Sequence, residues 1–211
     1  MSARQVRASH RNRGILTKLS MTPKLTTTLL VGIFLLQALS AAAGSREIDT
    51  QRSVMTIRVF KAGFLSAFGH EHEISSPIQQ GSFSEDKPAV ELLVDARKLR
   101  VMDQSISEKD RAEIQSTMLG PKVLDSEKFP EIRFHSTEID RLGEGKWIVH
   151  GELTLHGQTR PVKVTVEGQN GRYRGSAELR QKEFGITPVT VAGGTVKVKN
   201  EVRVEFDIVG K

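Results

Sequence analysis

Val162-Lys163-Val164-Thr165-Val166-Glu167-Gly168-Gln169-Asn170-Gly171-Arg172-Tyr173 is the stretch that decides how this chain folds. Three valines share one parity while Lys163, Thr165 and Glu167 share the other, the mark of a strand with one apolar and one wet face. Asn170-Gly171 comes next, and both residues tolerate the left-handed backbone that a tight hairpin turn demands. A strand ending on such a turn pairs antiparallel with the segment after the turn, and its valines must be covered by other parts of the chain.

Outward from this hairpin the period of two recurs. Upstream, Leu153 and Leu155 alternate with Glu152, Thr154 and His156, and Ile132 and Phe134 alternate with Glu131, Arg133 and His135. Val90, Leu92 and Val94 repeat it against Glu91 and Asp95, as do Met55, Ile57 and Val59 against Thr56 and Arg58. Downstream run Val196 and Val198, then Val202, Val204, Phe206 and Ile208, with Lys199-Asn200-Glu201 as a bulge or tight turn between them. Gly143-Glu144-Gly145, Gly157-Gln158 and Gly193-Gly194 supply turn chemistry between strands. One segment breaks the pattern. Ser107-Glu108-Lys109-Asp110 is a helix start whose hydroxyl and carboxylate can satisfy free backbone N–H groups, and Gly120-Pro121 ends the helix after Leu119. Its apolar residues Ala112, Ile114, Met118 and Leu119 are too few to organise a core, so it lies on a sheet or plugs a barrel mouth. The expected fold is all-β, a single antiparallel barrel of about eight strands with one short helix.

The charge of the chain is concentrated at its start. Arg4, Arg7, Arg11, Arg13, Lys18 and Lys24 lie in residues 1–43, where there is no acidic residue, and the rest carries as many basic as acidic side chains. The net +6 therefore belongs to that segment and gives no reason to expect a nucleic-acid partner. Its apolar stretch Leu25–Leu39 is shorter than the ~20 residues a spanning helix needs. With cations before it and Ser40-Ala41-Ala42-Ala43-Gly44 after it, residues 1–43 read as a cleaved export signal, and Met21-Thr22-Pro23-Lys24 offers a second, compact start. Residues 44–211 are the length of one domain, with no repeat or linker. A periplasmic or secreted location is expected, with no integral membrane segment after cleavage. The chain has no cysteine, which excludes disulfides, thiol catalysis and a lipidated anchor.

Four blocks in order carry a family resemblance: Leu65-Ser66-Ala67-Phe68-Gly69-His70, Asp125 to Phe134 with Phe129-Pro130, Val149 to Val162 around Leu155-His156-Gly157, and Glu183-Phe184-Gly185-Ile186. In this order and spacing the chain, from about Glu47 to Val209, resembles the YceI-like family of polyisoprenoid-binding, lipocalin-like exported proteins. The resemblance implies an elongated barrel whose lumen holds a long isoprenoid or similar amphiphilic lipid without covalent chemistry. It also implies structural roles for Gly157 in a turn, Phe129-Pro130 at a strand entry and Gly185 at a bend. His70-Glu71-His72 departs from what is general in the family.

A lipid site of this kind is a lining, and parity names its candidates. Met55, Ile57, Val59, Val90, Leu92 and Val94 face inward from the first strands. Phe134, Leu153, Leu155 and Val164 do so from the middle ones, and Val198, Val204 and Phe206 from the last. Ile114 and Met118 of the helix and Phe184 of the last matched block join them. Phe64 and Phe68, with Leu65, either line a mouth or pack on the helix. Parity alone favours a filled core, as inward residues usually form one; the resemblance reverses that and favours the hollow. The alternative function is a periplasmic metal- or redox-associated module in which His70 and His72, two residues apart on a strand, hold Zn²⁺ or Cu²⁺. No further ligand converges on that pair: His135 and His150 have outward parity and His156 sits in a turn. The chain lacks a nucleophile elbow, a zinc-helix motif and a phosphate-binding glycine loop, and Gly193-Gly194-Thr195-Val196-Lys197 leads into a strand where such a loop needs a helix. Neither an enzyme nor a cofactor is expected. Beyond the lipid, the expected partner is at most a second copy in a weak homodimer.

Overall fold

The computed structural model describes residues 44–62, 72–85, 88–191 and 196–211. The expected leader, together with Phe64, Phe68, His70 and Gly193-Gly194, lies outside the described residues.

The alternating stretches are strands. In chain order they are β1 (Ser45–Glu47), β2 (Val54–Ala62), β3 (His72–Ser75), β4 (Ile78–Ser84), β5 (Ala89–Asp95) and β6 (Arg100–Val101). After the helix α1 (Glu108–Leu119) come β7 (Glu131–Gly143), β8 (Lys146–Leu155), β9 (Gln158–Gln169), β10 (Arg172–Arg180), β11 (Thr190–Val191) and β12 (Val196–Val209). All pairings are antiparallel within one sheet, along a path of 11 strands, β1-β4-β5-β7-β8-β9-β10-β12-β2-β3-β6, with β11 added against β12.

Among the described residues the all-β class and the single α-helix agree with expectation; the strand count does not. Among the described residues the sheet is a curled antiparallel half-barrel of 12 strands rather than a barrel of about eight. One cause is Ser76-Pro77, which bends the chain between β3 and β4 so that β3 pairs β2 and β4 pairs β5. Proline has no N–H to continue a ladder. Another is that β1, β6 and β11, of three, two and two residues, are too short to show a period. The curl is held where path ends approach the middle. Ser76 N–H donates to Met55 O at 2.9 Å, Asp49 N–H donates to Val209 O at 2.7 Å, and Ile48 forms an isolated bridge with Gly210.

Turn chemistry sets the registers. Asn170 and Gly171, at φ 56° and 77°, form the two-residue turn between β9 and β10. Both central residues need positive φ, which is why Asn-Gly serves there. The β8–β9 turn is His156-Gly157, at φ 51° and 71°, one residue earlier than Gly157-Gln158. Two of the four register shifts in the sheet bear on the cavity wall. β12 is irregular between Val198 and Val202, where Lys199-Asn200-Glu201 bulges, and β7 gains one residue between Ser136 and Glu138.

The helix begins and ends where its caps stand. Ser107 Oγ accepts from Asp110 N–H at 3.1 Å and its hydroxyl donates to Asp110 Oδ2 at 2.7 Å, while Gly120 N–H donates to Ser116 O. With little apolar surface of its own, α1 is clamped by a polar contact. Gln115 accepts from Val101 N–H and donates to Leu99 O, both at 2.8 Å. Met118 anchors it in a core cluster around Val94, Leu99, Phe184 and Ile186. A second cluster, Ile48, Ile78, Phe83 and Ile208, forms elsewhere, and Met55 and Leu92 pack against both. Among the described residues no helix is long and apolar enough to cross a membrane.

Candidate ligand cavity

Between these two clusters the inner face of the wall does not meet itself. Val162, Val164 and Val166 alternate with exposed Lys163, Thr165 and Glu167, as the parity requires, yet the valines are only half-buried. A side chain that points inward and keeps accessible surface faces a hollow. The hollow is a cavity of about 520 Å³, within the range of small-molecule sites.

The longer strands contribute their inward parity. Met55, Ile57 and Val59 line the cavity from β2, and Val90, Leu92 and Val94 from β5. Phe134, Leu153, Leu155 and Val164 line it from β7, β8 and β9, and Val204 and Phe206 from β12. Met118 of α1, with Leu99, Val123 and Leu124, lines one end. Three expected residues lie off it. Ile114 is half-buried against the helix-end cluster. Phe184 is fully buried, 0% exposed, in the 3-10 turn Gln181–Phe184, with its carbonyl 3.1 Å from His156 Nδ1. Val198 sits beyond the β12 bulge, opposite Lys61, where the strand has run past the cavity.

Other lining residues have different origins. Val162, Val166, Leu179 and Val202 share the inward parity of their strands and are legible from it. Ile139 and Arg141 face inward only because the extra residue near Thr137 reverses the parity of β7, a slip of one that no composition signals. Ile48, Val123 and Leu124 come from irregular segments with no period to read.

The lining is polarised along its length. Its two charged residues, Glu85 and Arg141, lie at the end away from α1, together with Trp147 and Tyr173. There the Tyr173 hydroxyl donates to Glu85 Oε1 at 2.6 Å, and Arg46 Nη1 lies 3.8 Å from the same oxygen. Phe83 and Trp147 meet Tyr173 edge-on at 5.2 and 5.6 Å between centroids, the arrangement aromatic quadrupoles prefer. Burial first, and then the neighbouring Glu85 carboxylate, push the Tyr173 phenol up to about 12. Arg46 stacks over Phe83 at 5.9 Å and donates to the carbonyl of Lys211, pinning the last residue beside this end.

The described histidines are engaged with other partners. His72 shares the parity of buried Ile74, and its Nδ1 lies 2.5 Å from Oδ2 of buried Asp103, whose Oδ1 accepts from Glu73 N–H at 2.7 Å. His135 is 3.4 Å from Glu152 and His150 is 3.0 Å from Asp140, both among exposed partners. Among the described residues no group of three or more His, Cys, Asp or Glu is placed to hold a metal ion.

Comparison with known proteins is consistent along nearly the whole described chain. Residues 47–210 match the model of the YceI-like domain. A UPF0312 protein of Photorhabdus laumondii is 28% identical over 176 residues, covering 78% of this chain and 87% of its own. A UPF0312 protein of Shewanella putrefaciens is 31% identical over 172 residues, with 74% and 84% covered. Among solved structures, Burkholderia cenocepacia BcnA superposes with a TM-score of 0.53 at 18% identity, covering 78% of this chain and 99% of that one. At that identity the likeness speaks for the fold alone.

Proposed function

This chain belongs to the YceI-like family, and from that premise we propose that it binds a long-chain isoprenoid or similar amphiphilic lipid in the lumen of its curled sheet, without covalent chemistry. The reading places it outside the cytoplasm, in transport, storage or stress protection, as a monomer or weak homodimer. The observation that carries it is the cavity of about 520 Å³, walled mostly by aliphatic and aromatic side chains, with its two charged residues together at one end. Such a lining offers a hydrocarbon tail transfer energy and little else, about 0.8 kcal/mol per buried CH₂ before ordering costs are subtracted. Glu85, Arg141, Tyr173 and Trp147 give the polar group of an amphiphile a place at the end away from α1.

The metal reading has less to stand on, since Nδ1 of His72 is already engaged by Asp103.

Gentle purification, extraction into organic solvent and mass spectrometry test the lipid reading: a stoichiometric long-chain species is expected, and a clean extract at full protein recovery counts against it. A lumen-filling Val164→Trp substitution should weaken lipid binding at least about tenfold. It should cost no more than about 1–3 kcal/mol of stability.

A further inference from the structure

At two levels of the cavity wall a phenylalanine ring stands where the neighbouring strand has no side chain. A Cβ on Gly151 of β8 would lie 2.5 Å from Cε2 and Cζ of Phe134 on β7. A Cβ on Gly175 of β10 would lie 2.5 Å from Cζ of Phe206, its direct partner on β12. Each would also meet a backbone carbonyl of an adjacent strand, that of His135 or of Thr165. Both rings line the cavity. Along β9, Val162 is the partner of Gly151 and Val166 that of Gly175. The two levels are therefore four residues, or roughly 13 Å, apart along the lumen.

Glycine inside a strand weakens it and marks a place where something must approach closely. Here an aromatic ring does so, covering the bare backbone of each glycine. Phenylalanine is bulkier than every aliphatic side chain in this lining, and an inward ring held upright by a neighbouring Cβ would project across the hollow. With no Cβ beside it, the ring leans along the wall and leaves the cross-section open. Ala177, between Gly175 and Leu179 on the inner face of β10, keeps that strand low as well.

We propose that Gly151 and Gly175 are specificity-determining residues: by letting Phe134 and Phe206 recline, they give the lumen the width for a methyl-branched chain, where a side chain at either position leaves room only for a straight one. The inference rests on the lipid-binding reading and names which wall residues select the tail.

The test uses geranylgeraniol and hexadecanol, alcohols of matched main-chain length, one methyl-branched and one straight. Trp147, the single tryptophan, lines the cavity and reports binding by its fluorescence. Wild type should bind both. Gly175→Ala and Gly151→Ala should lose geranylgeraniol at least about tenfold more than hexadecanol, the scale at which an apolar pocket resolves a methyl group. Adding Phe206→Leu or Phe134→Leu to the matching glycine variant should bring the ratio back towards wild type. Variants that bind both alcohols in the wild-type ratio overturn the width inference and leave lipid binding standing. Wild type that binds neither alcohol overturns the lipid reading itself.

Because the glycine variants also crowd a backbone carbonyl, wild-type NMR provides a measurement independent of their folding. The Hα protons of Gly151 and Gly175 should show ring-current shifts and contacts to the Phe134 and Phe206 rings that persist with geranylgeraniol bound. Rings that leave their glycines on binding overturn the proposal.

Discussion

Tyr173 is the single tyrosine of the chain, so its ionisation can be followed by absorbance with no overlap. The phenol is held near 12, raised first by burial and then by Glu85. A folded-state pKa above the unfolded value near 10 means that this group favours the folded state below about pH 10, and that the preference is lost as pH rises through the folded value near 12. Spectrophotometric titration should therefore show a midpoint close to 12 in the native protein and close to 10 in denaturant. Glu85→Gln should lower the native midpoint only part of the way, because burial remains. A native midpoint at the denatured value would mean that the polar end of the cavity is open to water. At the opposite end Phe184, 0% exposed, fills its site completely. Phe184→Ala should cost about 3–5 kcal/mol, read by urea unfolding, since the ring leaves a void that its neighbours cannot close.

Among the elements, α1 is the piece with the least to hold it. Its cap satisfies backbone donors that would otherwise be orphaned, so Ser107→Ala should lower stability by about 1 kcal/mol and fray the first turn in hydrogen exchange. Gln115 bridges the helix to β6, and its loss should loosen the element without disturbing the strands. Between β10 and β12 the pin is electrostatic. Asp207 takes two bonds from Arg172, at 2.8 and 2.7 Å, and one from Arg174 at 2.9 Å. The Arg172 hydrogen bond is the main reason its carboxyl is held down at about 2. A depressed pKa stabilises above the unfolded value near 3.8 and is lost as pH falls through about 2. Asp207→Asn should then cost about 1 kcal/mol at neutral pH, modest because both arginines are largely exposed. The difference from wild type should vanish near pH 2 and below; an equal deficit at both pH values would assign the loss to packing.

For the whole molecule the consequence of a hollow core is that ligand and stability are linked. A lipid that binds only the folded wall stabilises it by mass action, about 2.7 kcal/mol at a hundredfold excess over Kd. For a domain of this size that is a rise in Tm of roughly 5–11 °C. Protein stripped by solvent extraction and refolded should melt lower by about that amount and recover on reloading, followed by calorimetry. Identical melting of stripped and reloaded protein would argue that the lumen contributes nothing to binding. The same hollow accounts for the half-buried valines of β9, whose inner faces see the cavity and whose neighbours see water.

Much of this is written locally in the chain. The alternation of Val162, Val164 and Val166, the Asn170-Gly171 turn and the Ser107 cap depend on residues within one turn or one strand of each other, and physics at that range is legible from order alone. So is the parity that places Leu92, Leu153 and Phe206 on the inner face. The bend at Ser76-Pro77 and the slip in β7 that turns Arg141 inward depend on partner strands, so they appear only once those strands are paired. The Tyr173–Glu85 bond joins residues 88 positions apart, and His72 meets Asp103 across 31. Above all, inward-facing apolar residues are the same letters whether they fill a core or line a lumen. What separates the two outcomes is the curvature of the wall and the lean of two rings over Gly151 and Gly175, and those are properties of the assembled sheet.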